Sequence, residues 1–160
     1  MTNTPPKRGP LVDVGLGIVL RKNTNKTQTN QSVAPDPLST HEILITRRPA
    51  DTVYGGFWEI PGGKLHPGET IDDCVARELF EEVGVEVRIT GALPEVVHHY
   101  EHASVRLHPR LCALTPDSPQ PRALQVESLA WCAPDRLVEY RFPEANSAII
   151  DALRAHLRGS

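Results

Sequence analysis

The run PGGKLHPGETIDDCVARELFEEVGV, residues 61–85, sets a glycine-rich stretch directly before a segment with one arginine and three glutamates in six positions, Arg77-Glu78-Leu79-Phe80-Glu81-Glu82. Thr70 with Asp73 three positions on, closed by Gly84, predicts a helix over 70–84. An N-cap hydroxyl can take the N–H at the third helical position, and glycine accepts the left-handed conformation that ends a helix. At about 100° per residue, Glu78, Glu81 and Glu82 fall within an arc of roughly 100°, with Val75, Leu79 and Val83 on the neighbouring face. An acidic helix face is ordinarily just a solvated one. Here the acids stand at i, i+3 and i+4 and near the helix C-terminus, where both mutual repulsion and the macrodipole oppose negative charge. A bound cation offsets that. Carboxylate oxygens gathered on one face suit Mg²⁺ or Mn²⁺, hard ions that keep waters and bind substrate phosphates.

The stretch before the helix adds to this reading. Gly62, Gly63 and Gly68 allow backbone to come close to a ligand, and Lys64 supplies a cation able to meet a phosphate. A nucleotide-binding P-loop is excluded, because Glu69 stands where that spacing requires lysine.

Composition narrows the partners. With 160 residues, 39% hydrophobic and 23% charged, the chain is expected to form one globular domain. A net charge of −3 gives no basic footprint for a nucleic-acid polymer and does not exclude free nucleotides as partners. Cys74, Cys112 and Cys132 form neither an even set nor a CxxC pair, so reduced thiols and a cytoplasmic location are expected. No apolar run reaches the roughly 18 residues of a membrane span, and the first ten residues lack a signal-like stretch. A monomer or weak homodimer is the expected state.

Apolar runs at 11–20 and 42–46 predict a strand hairpin. Its polar connection, about 22–41, is rich in Asn, Thr, Ser and Pro and reads as a long mobile insertion. Further strands are expected at 57–60, 85–90, 95–100, 104–113 and 126–132. A last helix begins near Pro143, with Ile149, Ile150, Leu153 and Leu157 three to four apart. The elements make a mixed sheet with at least two helices.

Gly63, five residues, Glu69, seven residues, then Arg77-Glu78-Leu79-Phe80-Glu81-Glu82-Val83-Gly84-Val85 matches every position of the Nudix box, GX5EX7REUXEEXGU with U aliphatic. Chance agreement at average residue usage has odds of roughly 10⁻⁸. The chain thus resembles the Nudix hydrolases, which implies an α/β/α sandwich with a mixed β-sheet flanked by helices, and metal-dependent hydrolysis of nucleoside diphosphate derivatives. Within that family, ITRRPAD (45–51), FWEIPGGK and RFPEANSAII (141–150), together with Trp131, resemble the 8-oxo-dGTP diphosphatases of MutT type.

Carried over by position, the resemblance makes Gly62 a carbonyl ligand of the metal and Glu78, Glu81 and Glu82 its carboxylate ligands, with Glu78 also accepting a proton from the attacking water. Arg77 orients these acids and Glu69 braces loop against helix. Arg48 and Lys64 are candidates for substrate contacts. One position departs: where the subfamily keeps a further metal-associated glutamate, six residues before the tryptophan, this chain has Gln125, and Glu127 stands two residues along. Either can fill the role. The histidines near 98–108 read as surface or strand residues, since a hard-cation phosphate site does not need imidazole.

Asn146 has two readings. Locally it is a helix N-cap. The resemblance makes it a base reader: an amide oxygen can accept from N7–H of 8-oxoguanine while its NH₂ donates to O6, a pairing that unmodified guanine cannot complete. The expected reaction is cleavage of such a triphosphate to monophosphate and pyrophosphate. The alternatives are a Nudix hydrolase for ADP-ribose, a dinucleoside polyphosphate or an ordinary dNTP, and a non-catalytic base-recognition module.

Overall fold

Strand β1 (Leu11–Lys22) is buried on both faces from Gly15 to Val19, which is why its centre reads as an unbroken apolar run. The computed structural model describes residues 9–26, 34–101 and 103–160. After β1 come a short helix α1 (Pro37–Thr40), β2 (His41–Arg47), β3 (Trp58–Glu59), β4 (Gly62–Lys64), helix α2 (Ile71–Val83), β5 (Val87–Ala92), β6 (Val96–His99), β7 (Ser104–Leu114), β8 (Ser128–Cys132) and helix α3 (Ser147–Arg158). Two 3-10 turns, Pro134–Glu139 and Glu144–Asn146, lead into α3.

The eight strands of the described residues form one mixed sheet with the path β3-β2-β1-β7-β5. β1 runs parallel to β7, and its other pairings, with β2 and β4, are antiparallel. β6 pairs with β7, and β8 with β2. The expected hairpin of β1 and β2 is present, with Leu20 opposite Ile43.

Two apolar layers cover the sheet. On one face Val19, Leu44, Cys112 and the α2 residues Val75, Leu79 and Val83 form a cluster. On the other, Leu16, Ile18, Ile43 and Ile45 pack with Ile149, Ile150, Leu153 and Leu157 of α3. Each large side chain buried this way contributes about 1.5–3 kcal/mol. The architecture is the α/β/α sandwich expected from the sequence.

The polar connection is more structured at its end than expected. Residues 27–33 of it lie outside the described residues, but Asp36 Oδ1 accepts from the Leu38 N–H at 3.0 Å and caps α1. Leu38 is then buried in the α3-side core. The glycine-rich stretch also differs: Gly62–Lys64 is a short strand held against β1, with Gly15 opposite Gly63. No helix among the described residues is long and apolar enough to cross a membrane.

Helix α2 lies directly on β1 because Gly17 has no side chain; a Cβ there would stand 2.6 Å from Leu79 Cδ1. Gly17→Val should therefore lift α2 from the sheet and destabilise the fold by about 1–3 kcal/mol. Thermal unfolding should show a clear fall in Tm; an unchanged Tm would mean that α2 does not depend on this contact.

Candidate active site

Helix α2 starts and stops where its caps dictate. Thr70 Oγ1 accepts from the Asp73 N–H at 3.1 Å. Gly84 ends the helix at φ 71°, and its N–H donates to Phe80 O. The last carbonyls are satisfied too: Glu82 O accepts from the backbone N–H of Leu124 and Gln125, and Val83 O from Arg122.

Arg77 then ties the helix to the loop before it. Its Nε donates to Glu69 Oε1 at 2.6 Å and its Nη2 to Glu69 Oε2 at 3.0 Å and to the Lys64 carbonyl at 3.2 Å. Nη1 reaches Glu78 Oε1 at 2.9 Å and Glu81 Oε2 at 3.2 Å. Glu69 also accepts from the His66 N–H. These donors, Arg77 foremost, hold the Glu69 carboxyl down to about 2.

Glu82 is placed differently. It lies beyond Arg77's hydrogen bonds, and one carboxylate oxygen accepts from the Gly62 N–H at 3.3 Å. Burial first, then the neighbouring charges of Glu59 and Glu78, push its carboxyl up to about 8. Gly62 and Gly63 sit where the sheet and helix meet so closely that side chains do not fit. A Cβ at Gly63 would overlap the Glu78 carboxylate, and one at Gly62 would overlap the Gly15 carbonyl. The result is a set of acids packed against the backbone of Gly62 and Gly63.

Among the expected substrate contacts, Arg48 is engaged within the protein: Nη1 meets Glu59 Oε2 at 3.2 Å and Nε donates to the Val53 carbonyl at 2.8 Å. Lys64 is exposed, and its ammonium makes no hydrogen bond or ion pair among the described residues. Asn146 is 7% exposed, and the structure gives its amide no hydrogen bond, so it does not cap α3. Gln125 is exposed and joins the site only through its backbone. The Glu127 carboxylate stands 3.6 Å from Arg47 Nε.

Two features escaped the sequence reading. Glu59, inside FWEIPGGK, is held above the usual carboxylate range by burial, against the opposing pull of Arg48. His108 is buried between Asp13, 2.8 Å from Nε2, and Glu95, 3.2 Å from Nδ1. It is a strand residue in an ion-pair network, with Arg106 within 4 Å of both acids.

The pattern for the NUDIX domain matches residues 38–152. This chain belongs to the Nudix family. It is 30% identical over 115 residues, 71% of its own length and 83% of the relative's, to the CTP pyrophosphohydrolase of Escherichia coli K12. To the 8-oxo-dGTP diphosphatase of Proteus vulgaris it is 39% identical over 67 residues, 42% of this chain and 60% of the relative. The solved structure reported for MutT of Aliivibrio salmonicida and Vibrio cholerae superposes with a TM-score of 0.63 at 29% identity, covering 92% of this chain and 99% of that one. The chain is a MutT-type Nudix hydrolase.

Nudix hydrolases generally use divalent metals such as Mg²⁺, and the residues here fit such an ion. Glu78, Glu81 and Glu82 offer carboxylate oxygen, the donor type of a hard cation. Among the described residues no three acidic, His or Cys side chains are grouped closely enough to hold an ion as they stand.

The uncompensated charge at Glu82 sets a measurable penalty. A carboxyl raised in the folded state favours folding when protonated, so its contribution is intact below the ordinary value near 4.5 and is lost as pH rises through about 8. Glu82→Gln should raise Tm in excess chelator at pH 8 by a few degrees and reduce the fall in Tm between pH 5 and pH 8. The gain in Tm on adding Mg²⁺ should shrink in the same variant. A lower Tm in chelator would show that the Glu82 carboxylate is held by favourable contacts instead.

Proposed function

We propose that this protein hydrolyses oxidised guanine nucleoside triphosphates such as 8-oxo-dGTP to the monophosphate and pyrophosphate. The coarser reading, a Nudix pyrophosphohydrolase acting on small nucleotide derivatives, follows from the family. The observation that carries the finer one is Asn146: a residue only 7% exposed whose side-chain amide caps no helix and makes no hydrogen bond among the described residues. Its amide is therefore available to a ligand that can meet both its donor and its acceptor. An amide offers an acceptor beside a donor, the complement of the N7–H and O6 edge of 8-oxoguanine.

In the proposed reaction a divalent cation bound at Glu78, Glu81, Glu82 and the Gly62 carbonyl would neutralise phosphate charge and acidify water. The chain's own part is positional and protonic. Arg77 keeps Glu78 and Glu81 turned to the helix face that meets the Gly62–Lys64 backbone. Water attacks the β-phosphorus as Glu78 takes its proton; the bond from that phosphorus to the α–β bridging oxygen breaks, and the nucleoside monophosphate leaves. Lys64, exposed at the strand end and without an ion pair among the described residues, is suited to the outer phosphates. Arg48 reaches substrate only by giving up Glu59.

The E. coli relative favours one other reading, an ordinary pyrimidine triphosphate such as CTP. Cytosine presents a different donor and acceptor order, so Asn146 decides between them. Asn146→Ala should lower kcat/KM on 8-oxo-dGTP roughly 5- to 150-fold more than on dGTP, the factor that a mismatch of about 1–3 kcal/mol implies, with Tm nearly unchanged. An equal loss on both substrates would remove the 8-oxoguanine reading, and higher wild-type kcat/KM on CTP would favour the second.

Glu78→Gln should cut turnover a hundredfold or more without unfolding the protein, since it removes charge and not volume. Wild-type activity should vanish in chelator and return with Mg²⁺ or Mn²⁺. Retention of more than about a tenth of the rate in the variant would reassign the proton acceptor.

A further inference from the structure

Thr46 of β2 is 0% exposed, yet its hydroxyl has no hydrogen-bond partner among the described residues. A buried hydroxyl has given up its hydrogen bonds to water, so one left unpaired in a folded chain calls for an explanation. Valine has the same shape and the same preference for strands, so packing and propensity do not account for the threonine.

The sheet register shows what stands beside it. Thr46 pairs directly with Glu59 of β3. Side chains directly opposite each other in an antiparallel pair leave the sheet on the same face, with Cβ atoms roughly 4.5–5.5 Å apart. That face is the one α2 covers, because Leu44, two positions before Thr46, and Leu129, opposite it on β8, belong to the core under α2. The Glu59 carboxylate meets Arg48 Nη1, 3.4 Å from Oε1 and 3.2 Å from Oε2, and Arg48 is its one donor residue among the described residues. Both contacts are long and fall on one nitrogen, unlike the two-nitrogen fork by which Arg77 holds Glu69. The Arg48 side chain is also the more exposed partner, 35% against 21%. The guanidinium is thus the member of the pair with room to leave.

A contact between Arg48 and substrate would upset this balance. Burial already holds the Glu59 carboxyl above the usual range, and Arg48 is what opposes it. A departing guanidinium therefore leaves a poorly solvated acid without a donor. Thr46, one strand away, has a donor without an acceptor. We propose that Thr46 is a positioning residue for the phosphate contact: its hydroxyl takes over the Glu59 carboxyl when Arg48 turns to the phosphates of the nucleotide. This rests on the proposed nucleotide substrate with Arg48 as its phosphate contact, and not on which base the nucleotide carries.

The test measures Tm of the free enzyme, KM and kcat for 8-oxo-dGTP, dGTP and CTP in Mg²⁺, and the calorimetric Kd of inorganic triphosphate, which has phosphates but no base. Thr46→Val removes the hydroxyl and keeps the shape, so it should raise the free-enzyme Tm by a few degrees. In the same variant KM for each nucleotide turned over, and Kd for inorganic triphosphate, should rise roughly 3- to 10-fold, with kcat changed much less. Thr46→Ser keeps the hydroxyl and loses a methyl, so it should do the reverse, with a lower Tm and a KM within about twofold of wild type. In a Glu59→Leu background, where the hydroxyl has no carboxyl to meet, Thr46→Val should leave KM and Kd unchanged. An unchanged KM and Kd in Thr46→Val, a KM that follows Tm in both variants, or a Thr46→Val loss that persists in full beside Glu59→Leu would each make Thr46 merely structural and overturn the proposal. If wild type does not prefer 8-oxo-dGTP to dGTP, yet Thr46→Val still weakens every nucleotide and inorganic triphosphate alike, the 8-oxoguanine assignment falls and the exchange stands.

Discussion

A single guanidinium keeps the site in register. Arg77 reaches both oxygens of Glu69, the Lys64 carbonyl, Glu78 and Glu81, so it joins the loop before α2 to two successive turns of the helix. The planar fork of arginine suits several fixed acceptors at once, where lysine would offer a single point charge. Without it, Glu78 and Glu81 would repel each other across one helical turn and the β4 backbone would lose its tie to the helix. The arginine also divides the acids into two kinds. Glu78 and Glu81 are satisfied within the protein, while Glu82 carries the unmet charge of the pocket.

That division explains how an acidic cluster is compatible with a stable fold. The helix contributes Val75, Leu79 and Val83 to the core beneath it, and the glycines of β1 let it lie close enough to do so. Burial on that scale outweighs the repulsion of one poorly solvated carboxylate.

Helix α2 was legible residue by residue, because its caps, Thr70 and Gly84, and its apolar stripe are local signals. The Nudix box added the chemistry of its acidic face. Strand β4 was not legible: Gly62-Gly63-Lys64 has no apolar alternation, and its extended form comes from pairing with β1, some fifty positions earlier. Helix α1 carried a signal that composition obscured, since Asp36-Pro37 is a cap followed by a first-turn proline, and Leu38 is a lone apolar residue in polar surroundings. Glu59 and His108 could not be found from spacing at all. Asp13 lies on β1, and Arg48 and Glu95 stand just outside the ends of β2 and β6, so only the pairing of those strands in the sheet brings them together.

The alternation of β1 gives the sheet two distinct faces. Gly15, Gly17 and Val19 face the apolar side of α2, while Leu16 and Ile18 face α3 and the segment leading into it. The core on the α3 side and the core beneath α2 are separate clusters. Relatives with different named substrates, CTP and 8-oxo-dGTP, are what such a division permits. On the proposed reading the choice of nucleotide falls to Asn146 on the α3 side, since the acidic helix face belongs to the Nudix box and would serve phosphate chemistry for any of them.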